Sequence, residues 1–248
     1  MVDIHAHILP GIDDGSANLK ISLEMSKMAV KSGVGIIAAT PHSSAFGHHN
    51  NFWGEKFEQR VTDFRKALEE NKIPLKIVPG MEIFGTPEVP ELLEEGRMIG
   101  LTGSKYPLID FPFNDYADEA TDILFDVLSM GMRPVVAHPE RYIYVQSDPK
   151  ILNQWTRMGC LLQINKGSLL GRFGRNEQDL SFALIERGFA FAVASDAHSS
   201  VMRTTWMSEA RALVEEEFSK DIAKAIFESN PMKIIKNEAV RQEEPDWF

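Results

Sequence analysis

The 248-residue sequence contains one cysteine, Cys160, which excludes a disulfide bond within the chain. A chain without disulfides suits a reducing compartment, and this predicts a cytoplasmic protein. Cys160 has apolar neighbours and no histidine near it in the sequence, so it is predicted to be a buried strand residue. A catalytic thiol is the alternative, and the same apolar surroundings disfavour it.

Positive charge and long apolar runs are also scarce. The formal net charge is −10, from 26 basic and 36 acidic residues, and no basic stripe is visible. This balance argues against nucleic acid as a partner, but it allows an anionic substrate where bound cations invert the local field. No stretch approaches about 18 apolar residues and the N-terminus lacks a signal-peptide pattern, so membrane insertion and secretion are not expected.

Short apolar runs rich in β-branched residues alternate with segments of helical periodicity. The runs predict buried parallel strands at 2–5, 34–40, 75–80, 106–111, 133–138, 160–165 and 189–195. The periodic segments predict amphipathic helices at 17–32, 52–70, 119–130, 148–158, 177–187, 205–217 and 219–228. Asp148 and Pro149 are predicted to be the cap and the first residue of the fourth helix.

The repeated strand–helix alternation favours a parallel α/β barrel or a doubly wound sheet. No G-x-G-x-x-G motif follows the first strand, and this disfavours a dinucleotide-binding fold. In a barrel, functional residues collect at the carboxyl ends of the strands. The positions of the polar, metal-capable residues therefore test the barrel hypothesis.

Histidines and carboxylates concentrate at the predicted strand ends, where five of the seven histidines lie. With one aspartate from the loop after the first strand, the candidate metal ligands are His5, His7, Asp14, His42, Glu82, Asp110, His138, Asp196 and His198. Each residue alone is better explained as a hydrogen-bonded, capping or ion-paired structural residue. Their joint delivery to one rim is not explained by packing, because burying so many ionisable groups without cations is very unfavourable.

His5 and His7 form the clearest local pattern. Residues i and i+2 of a strand project to the same side, so both rings can reach one ion. Mixed imidazole and carboxylate ligands suit Mn, Fe or Zn better than Mg or Ca. The nine candidate ligands exceed the coordination of one ion, so two or three divalent transition-metal ions are expected. Closely spaced ions indicate a bridging hydroxide as the nucleophile in phosphoryl or acyl transfer.

Two arginines follow the strand ends, Arg141 after His138 and Arg203 after His198. A guanidinium binds phosphate with fork geometry, so both are predicted to act as catalytic residues that contact phosphate. A solvated loop arginine is the alternative for each. The segment 165–168 is a weaker candidate for further donors. The loop with His48 and His49 is either simply exposed or overhangs the rim and contacts substrate.

Seven segments in order carry a resemblance to a known family. They are DIHAHILPGIDDGS (3–16), ATPH (39–42), PGMEI (79–83), LIDFPF (108–113), AHPERY (137–142), KGSLLG (166–171) and ASDAHS (194–199). With these motifs the sequence resembles the PHP (polymerase and histidinol phosphatase) superfamily. Within it, ILPGIDDG and AHPER are specific to the bacterial capsule- and exopolysaccharide-locus protein-tyrosine phosphatases.

The resemblance implies a distorted (β/α)7 TIM-like barrel with a trinuclear metal site, commonly of Mn or Fe. By position it assigns His5, His7, Glu82 and Asp196 to the first ion, Glu82, Asp110 and His138 to the second, and Asp14, His42 and His198 to the third. Arg141 and Arg203 match the family's phosphate-contacting arginines. Related sequences usually carry glutamate where this chain has Asp110, and this departure predicts altered metal affinity. Asp13 is assigned to the turn or to a helix cap.

We assign residues 1–238 to a single PHP domain and 239–248 to a polar tail, whose terminal Trp-Phe is a candidate for docking. The resemblance implies a phosphoric monoester hydrolase that cleaves phosphotyrosine by metal-hydroxide attack on phosphorus. The implied protein substrate is a bacterial tyrosine autokinase, whose tyrosine-rich tail regulates polysaccharide export. Two alternatives stay open: hydrolysis of a small phosphomonoester such as histidinol phosphate, and a non-catalytic metal-dependent module that binds the kinase. A nucleic-acid role is disfavoured by the charge.

Overall fold

A computed structural model of the chain describes residues 1–44, 49–114 and 117–248. All seven predicted strands are present. The strands of the described residues are β1 (Val2–Ala6), β2 (Ile36–Ala39), β3 (His42–Ser43), β4 (Lys76–Pro79), β5 (Glu82–Phe84), β6 (Leu108–Asp110), β7 (Val135–Ala137), β8 (Leu161–Asn165) and β9 (Ala190–Ala194). The short strands β3 and β5 were not predicted. Each follows the preceding strand after an interruption of two residues.

All strand pairs of the described residues are parallel, and they form two sheets. One sheet has the order β1-β2-β4, and the other has the order β3-β5-β6-β7-β8-β9. The chain passes from the first sheet to the second at Thr40-Pro41 and again at Gly80-Met81. The parallel α/β class is therefore confirmed, and the interruptions place His42 and Glu82 side by side as a register pair.

Backbone hydrogen bonds join β1 to the segment that follows β9. His7 N donates to Ala197 O at 2.9 Å, and Asp196 N donates to His5 O at 2.8 Å. These bonds bring the first and last strands together, as a distorted barrel requires. Closure of all strands into one continuous barrel stays a prediction, because the ladder in the described residues is divided between two sheets.

The helices surround these strands. Those of the described residues are α1 (Leu19–Lys31), α2 (Glu55–Glu70), α3 (Val89–Glu94), α4 (Ala117–Ser129), α5 (Ile143–Ser147), α6 (Ile151–Met158), α7 (Lys166–Leu169), α8 (Arg175–Glu186), α9 (Ser208–Glu217), α10 (Lys220–Lys224) and α11 (Asn230–Ile235). A π-helical turn, Ala225–Ser229, connects α10 to α11. Within the described parts of the chain, no helix combines the length and apolar character needed to cross a bilayer.

Several helix predictions are wrong in their boundaries, and the predicted helices 52–70 and 205–217 begin at Glu55 and Ser208. The fourth predicted helix begins at Ile151 rather than at Pro149, because Asp148 and Pro149 form a turn in which Lys150 N donates to Asp148 Oδ1 at 3.2 Å. The last predicted helix, 219–228, is divided into α10 and the π-helical turn. The short helices α3, α5, α7 and α11 were not predicted, since elements of four to six residues carry too little periodicity.

Helix α1 shows how the helices cover the strands. Asn18 Oδ1 accepts a hydrogen bond from Ile21 N at 3.1 Å and satisfies one free donor of the first turn. Met25 and Ala29 are fully buried on the face that packs on the sheet. Burial of a side chain of methionine size stabilises the fold by about 1.5–3 kcal/mol. This packing fixes the loop between β1 and α1, which carries part of the site.

The C-terminal segment is docked on the body of the protein. The rings of Trp247 and Phe248 lie against Phe189, with centroid distances of 5.9 and 5.1 Å. Asn153 brackets the last residue, because its Nδ2 donates to Phe248 O at 3.2 Å and its Oδ1 accepts from Phe248 N at 3.1 Å. The docking expected of the terminal Trp-Phe is therefore present.

Candidate metal centre

His5 lies on β1 and His7 directly follows it, and these two residues, the β1 histidines, project to the same side, as their spacing predicts. Both side chains are fully buried, and their Nε2 atoms lie 3.3 Å apart. At this distance the lone pairs of the two ring nitrogens repel each other unless a proton or a cation lies between them. Both Nε2 atoms also reach Glu82, at 3.1 Å from Oε1 for His5 and 3.1 Å from Oε2 for His7.

Glu82 lies at the middle of the cluster. Besides the two β1 histidines, His42 Nδ1 lies 2.9 Å from its Oε2, and His138 Nε2 lies 3.0 Å from its Oε1. Burial opposes ionisation of this carboxyl, but the surrounding imidazoles outweigh it and hold the pKa of Glu82 well below its usual range. The side chain is therefore an anion with four nitrogen atoms around two oxygens. This geometry suits a bridging ligand.

Asp196 and His198 follow β9 and face the same cluster. Asp196 Oδ1 lies 3.6 Å from His5 Nε2, 3.5 Å from His7 Nε2 and 3.5 Å from His198 Nδ1. Despite complete burial, His5 and Arg203 lower the pKa of Asp196. Its φ of +46° is a left-handed conformation that costs a residue with a side chain about 1–3 kcal/mol. His138 is likewise left-handed, with a φ of +35°.

Three groups of donor atoms are compact enough to hold an ion, with all ligand atoms of a group within 4.8 Å of one another. Among the described residues these groups are His5, His7 and Asp196, then His5, Glu82 and His138, then His7, Asp14, His42 and His198. Eight of the nine predicted ligands therefore lie in such groups. The donor set of imidazole and carboxylate fits divalent transition metals.

Asp110 is the predicted ligand that lies outside these groups. It is buried at the end of β6, and its Oδ1 has no hydrogen-bond partner within the described ranges. Burial and the nearby charge of Glu82 raise the pKa of Asp110 to about 8. The charges of Glu82 and the nearby histidines act on this carboxyl, although it is not part of a compact donor group, and this fits a side chain one methylene shorter than glutamate.

The replacement Asp110→Glu is expected to raise metal affinity by about tenfold while activity is retained, because the longer side chain brings a carboxylate nearer to Glu82 and His138. Metal affinity is measured by competition with a chromophoric chelator, and activity by phosphate release. Asp126→Glu, at an exposed position of α4, is the matched control. If Asp110→Glu changed neither metal affinity nor rate, the shorter side chain would be irrelevant to the site.

Two residues that orient the β1 histidines were not identified from the sequence. His7 Nδ1 donates to Asp13 Oδ2 at 2.7 Å, and His5 Nδ1 donates to Gln163 Oε1 at 2.8 Å. These bonds fix each ring so that Nε2 faces the cluster, the arrangement that metal-bound histidines use. Asp13 also accepts from Gly15 N at 3.0 Å, so its assignment to the turn is part of its role. A side chain at Gly15 would collide with His7, since a Cβ would lie 2.3 Å from His7 Cβ.

Both predicted arginines reach the edge of the cluster at Asp196. Arg141 Nη1 lies 3.4 Å from Asp196 Oδ2, and Arg203 Nη2 forms a close ion pair with the same oxygen. Their side chains are 18% and 32% exposed, so both guanidinium groups lie between the buried carboxylate and solvent. An anion that approaches the cluster from solvent meets these two cations first.

The segment 165–168 holds residues of the site in place and was not found to add hydrogen-bond donors for a substrate. Asn165 Nδ2 donates to Asp196 Oδ2 at 2.7 Å. Lys166 is buried, and its Nζ donates to Trp206 O at 2.9 Å and to Thr204 O. Lys166 therefore holds the loop that carries Arg203. Its orientation away from the cluster could not be inferred from the sequence.

The remaining sequence candidates are placed as follows. The His49 ring stacks on that of His42, with centroids 5.6 Å apart, so this part of the loop lies over the cluster. His48 lies outside the described residues. Cys160 is completely buried, as predicted, and burial raises the pKa of its thiol to about 12.

Comparisons with known proteins agree with this geometry. A family model described as capsular polysaccharide synthesis, CpsB/CapC, matches residues 1–236. The tyrosine-protein phosphatase YwqE of Bacillus subtilis (strain 168) is 34% identical over 99% of this chain and 95% of its own length. A crystal structure of YwqE, described with Streptococcus pneumoniae CpsB as unique metal-dependent tyrosine phosphatases, superposes with a TM-score of 0.94 and covers 100% of this chain and 99% of that chain.

A more distant likeness bears on the fold alone. A histidinol phosphate phosphatase from Lactococcus lactis, solved with zinc, L-histidinol and phosphate, has a TM-score of 0.56 at 15% identity. The match covers 87% of this chain and 94% of that one. Together with the parallel sheets, it supports the PHP-like α/β fold expected from the sequence motifs.

Proposed function

The chain belongs to the CpsB/CapC family of capsular polysaccharide synthesis, and we propose that it is a metal-dependent phosphatase that hydrolyses phosphotyrosine in proteins. The observation that carries the proposal is the buried cluster in which Glu82 meets four histidine rings within 2.9–3.1 Å. A cluster of this kind provides imidazole and carboxylate ligands without a nucleophilic side chain of its own.

We assign two or three ions, Mn or Fe with Zn as the alternative, to the donor groups of the cluster. The proposed ligands are His5, His7, Glu82 and Asp196 for the first ion, Glu82, Asp110 and His138 for the second, and Asp14, His42 and His198 for the third. When bound, such ions stabilise the charge that develops on a phosphoryl group and activate water at neutral pH. Asp13 and Gln163 serve this centre by orienting the two β1 rings.

Arg141 and Arg203 are proposed to hold the phosphate. Both approach Asp196 from the solvent side, and their planar N–H groups match the oxygens of a phosphomonoester. Asp196 pairs with both guanidinium groups when no phosphate is bound, and Asn165 donates to the same carboxylate oxygen. The leaving phenolate of phosphotyrosine, whose conjugate acid has a pKa of about 10, needs little help from a general acid.

The protein substrate is proposed to be the tyrosine-rich tail of a bacterial tyrosine autokinase that controls capsular or exopolysaccharide synthesis. A cytoplasmic location and a single domain over residues 1–238 remain predictions from the sequence. Histidinol phosphate is supported by likeness of fold alone. The full ligand set argues against a non-catalytic metal-dependent module, because binding a kinase does not require three adjacent groups of metal ligands.

The test is metal analysis of the purified protein combined with turnover of a phosphotyrosine peptide before and after chelation. We expect bound transition metal, release of phosphate from the peptide, loss of turnover after chelation and recovery on adding Mn²⁺. Histidinol phosphate serves as the competing substrate. Faster turnover of histidinol phosphate would favour the small-substrate alternative, and metal-bound protein that binds the peptide without releasing phosphate would favour the binding module.

The variant Cys160→Ser is expected to retain the turnover of the wild type. Cys160 is fully buried directly before β8 and its thiol has a pKa of about 12, so it supplies no thiolate at neutral pH. A buried hydroxyl at this position lowers the free energy of unfolding by about 1–3 kcal/mol, so Cys160→Ala is measured in parallel. Loss of turnover in a folded variant would show that a thiol takes part in the reaction.

A further inference from the structure

Arg141 contacts two aromatic rings at the edge of the cluster. The central carbon of its guanidinium lies 4.5 Å from the ring centroid of Phe113 and 4.5 Å from that of Phe173. A guanidinium stacked on aromatic faces keeps its N–H groups directed outward in its own plane. The two rings therefore fix the direction in which Arg141 presents its donors to Asp196 and to any anion beside it.

The two rings have different surroundings. Phe173 packs on the backbone of Gly167, where an added Cβ would lie only 2.5 Å from the ring, so the glycine makes room for it. Phe113 packs edge-on against the metal-ligand candidate His138, with centroids 5.8 Å apart. Phe113 thus contacts both Arg141 and His138, beside the place where a phosphate would bind, whereas Phe173 contacts Arg141 and lies next to the backbone of Gly167.

Phe113 is also 37% exposed, although its ring contacts Arg141, His138 and Tyr142. Part of a large apolar ring is therefore presented to solvent at the edge of a charged site. Aromatic rings favour contact with other aromatic rings in offset or edge-to-face arrangements. A group esterified to a phosphate on Arg141 would lie next to this exposed surface.

We propose that Phe113 is a specificity-determining residue that packs against the aromatic ring of an aryl phosphate and so favours aryl over alkyl phosphomonoesters. This inference rests on the proposed function, since it assigns the recognition of the tyrosine ring to the same site. Phe173 has the separate role of holding Arg141 without contacting His138, which affects the binding of any phosphate equally.

The test compares two ligands that do not turn over. Dissociation constants of phenylphosphonate and methylphosphonate are measured by titration calorimetry on the Mn²⁺-loaded protein, for the wild type, Phe113→Leu and Phe173→Leu. We expect Phe113→Leu to weaken phenylphosphonate by about three- to tenfold more than methylphosphonate. Phe173→Leu should weaken both ligands equally. Phe125→Leu, at a position 59% exposed on α4, is the matched control and should change neither.

The inference is overturned if the wild type does not prefer phenylphosphonate, or if Phe113→Leu changes both dissociation constants by the same factor. Phe113→Met, which keeps the volume but removes the ring, is the second variant, so that a folding defect in one variant does not decide the result. Because binding is measured without turnover, a failure of phosphotyrosine hydrolysis would overturn the proposed function independently of this result.

Discussion

Replacement of Glu82 by glutamine is expected to lower kcat/KM on a phosphotyrosine peptide by about a thousandfold or more, because each ion of a hydrolytic centre contributes several kcal/mol to transition-state stabilisation. Glu82 contacts four histidine rings with its two oxygens, and an amide offers one weak acceptor and two competing donors in their place. Metal content, measured on the same preparation, is expected to fall together with activity.

The matched control for this experiment is Glu94→Gln, at an exposed position of α3. It makes the same chemical change without touching the cluster and should leave metal content and kcat/KM at wild-type values. Thermal unfolding of both variants separates a site effect from a folding effect. Full metal content and wild-type turnover in Glu82→Gln would remove Glu82 from the centre and contradict the bridging role assigned to it.

Lys166→Met is expected to lower both stability and activity. Lys166 Nζ donates to the carbonyl oxygens of Thr204 and Trp206 in the protein interior. Methionine fills similar volume but leaves these acceptors unsatisfied, which lowers the free energy of unfolding by about 2–5 kcal/mol. The released loop carries Arg203, so kcat/KM is expected to fall by about tenfold to a hundredfold. Urea denaturation and peptide turnover measure the two effects, and Lys20→Met on the exposed face of α1 is the control.

The stability difference between wild type and Lys166→Met is expected to widen with pH. Burial lowers the pKa of Lys166 from 10.5 to about 8, so between these values the unfolded chain binds more protons than the folded one. The free energy of unfolding of the wild type therefore gains a contribution as pH rises from about 8 to 10.5, and methionine cannot supply it. A difference that is constant or narrows over this range would contradict a buried, deprotonatable amine.

The strand ends were predictable from the sequence because polar residues stand out at the end of an apolar run. Predicted strands at 34–40 and 75–80 were correct, but their continuations β3 and β5 were missed. Two-residue interruptions at Thr40-Pro41 and Gly80-Met81 end the first sheet, and strands of two or three residues carry no periodicity of their own. The close pairing of His42 with Glu82 depends on these continuations.

Which of two adjacent polar residues turns inward could not be predicted. Asp13 is buried against His7, whereas the Asp14 side chain is 55% exposed and approaches His42 and His198 from the rim. Both were visible in the sequence, but a turn has no fixed period that assigns its side chains to a face. The role of Gln163 was predictable in part, because it is a polar residue inside an apolar strand. A buried amide needs a hydrogen-bond partner, and here the partner is His5.

The division of the strands into two sheets affects how the donor groups assemble during folding. Within the described residues, each of the three donor groups combines His5 or His7, on or directly after β1 of the three-stranded sheet, with residues on or after strands of the six-stranded sheet. Neither sheet alone presents a complete set of ligands. If these groups bind metal as proposed, we expect tight metal uptake during refolding only after the N-terminal strand has joined the rest of the molecule.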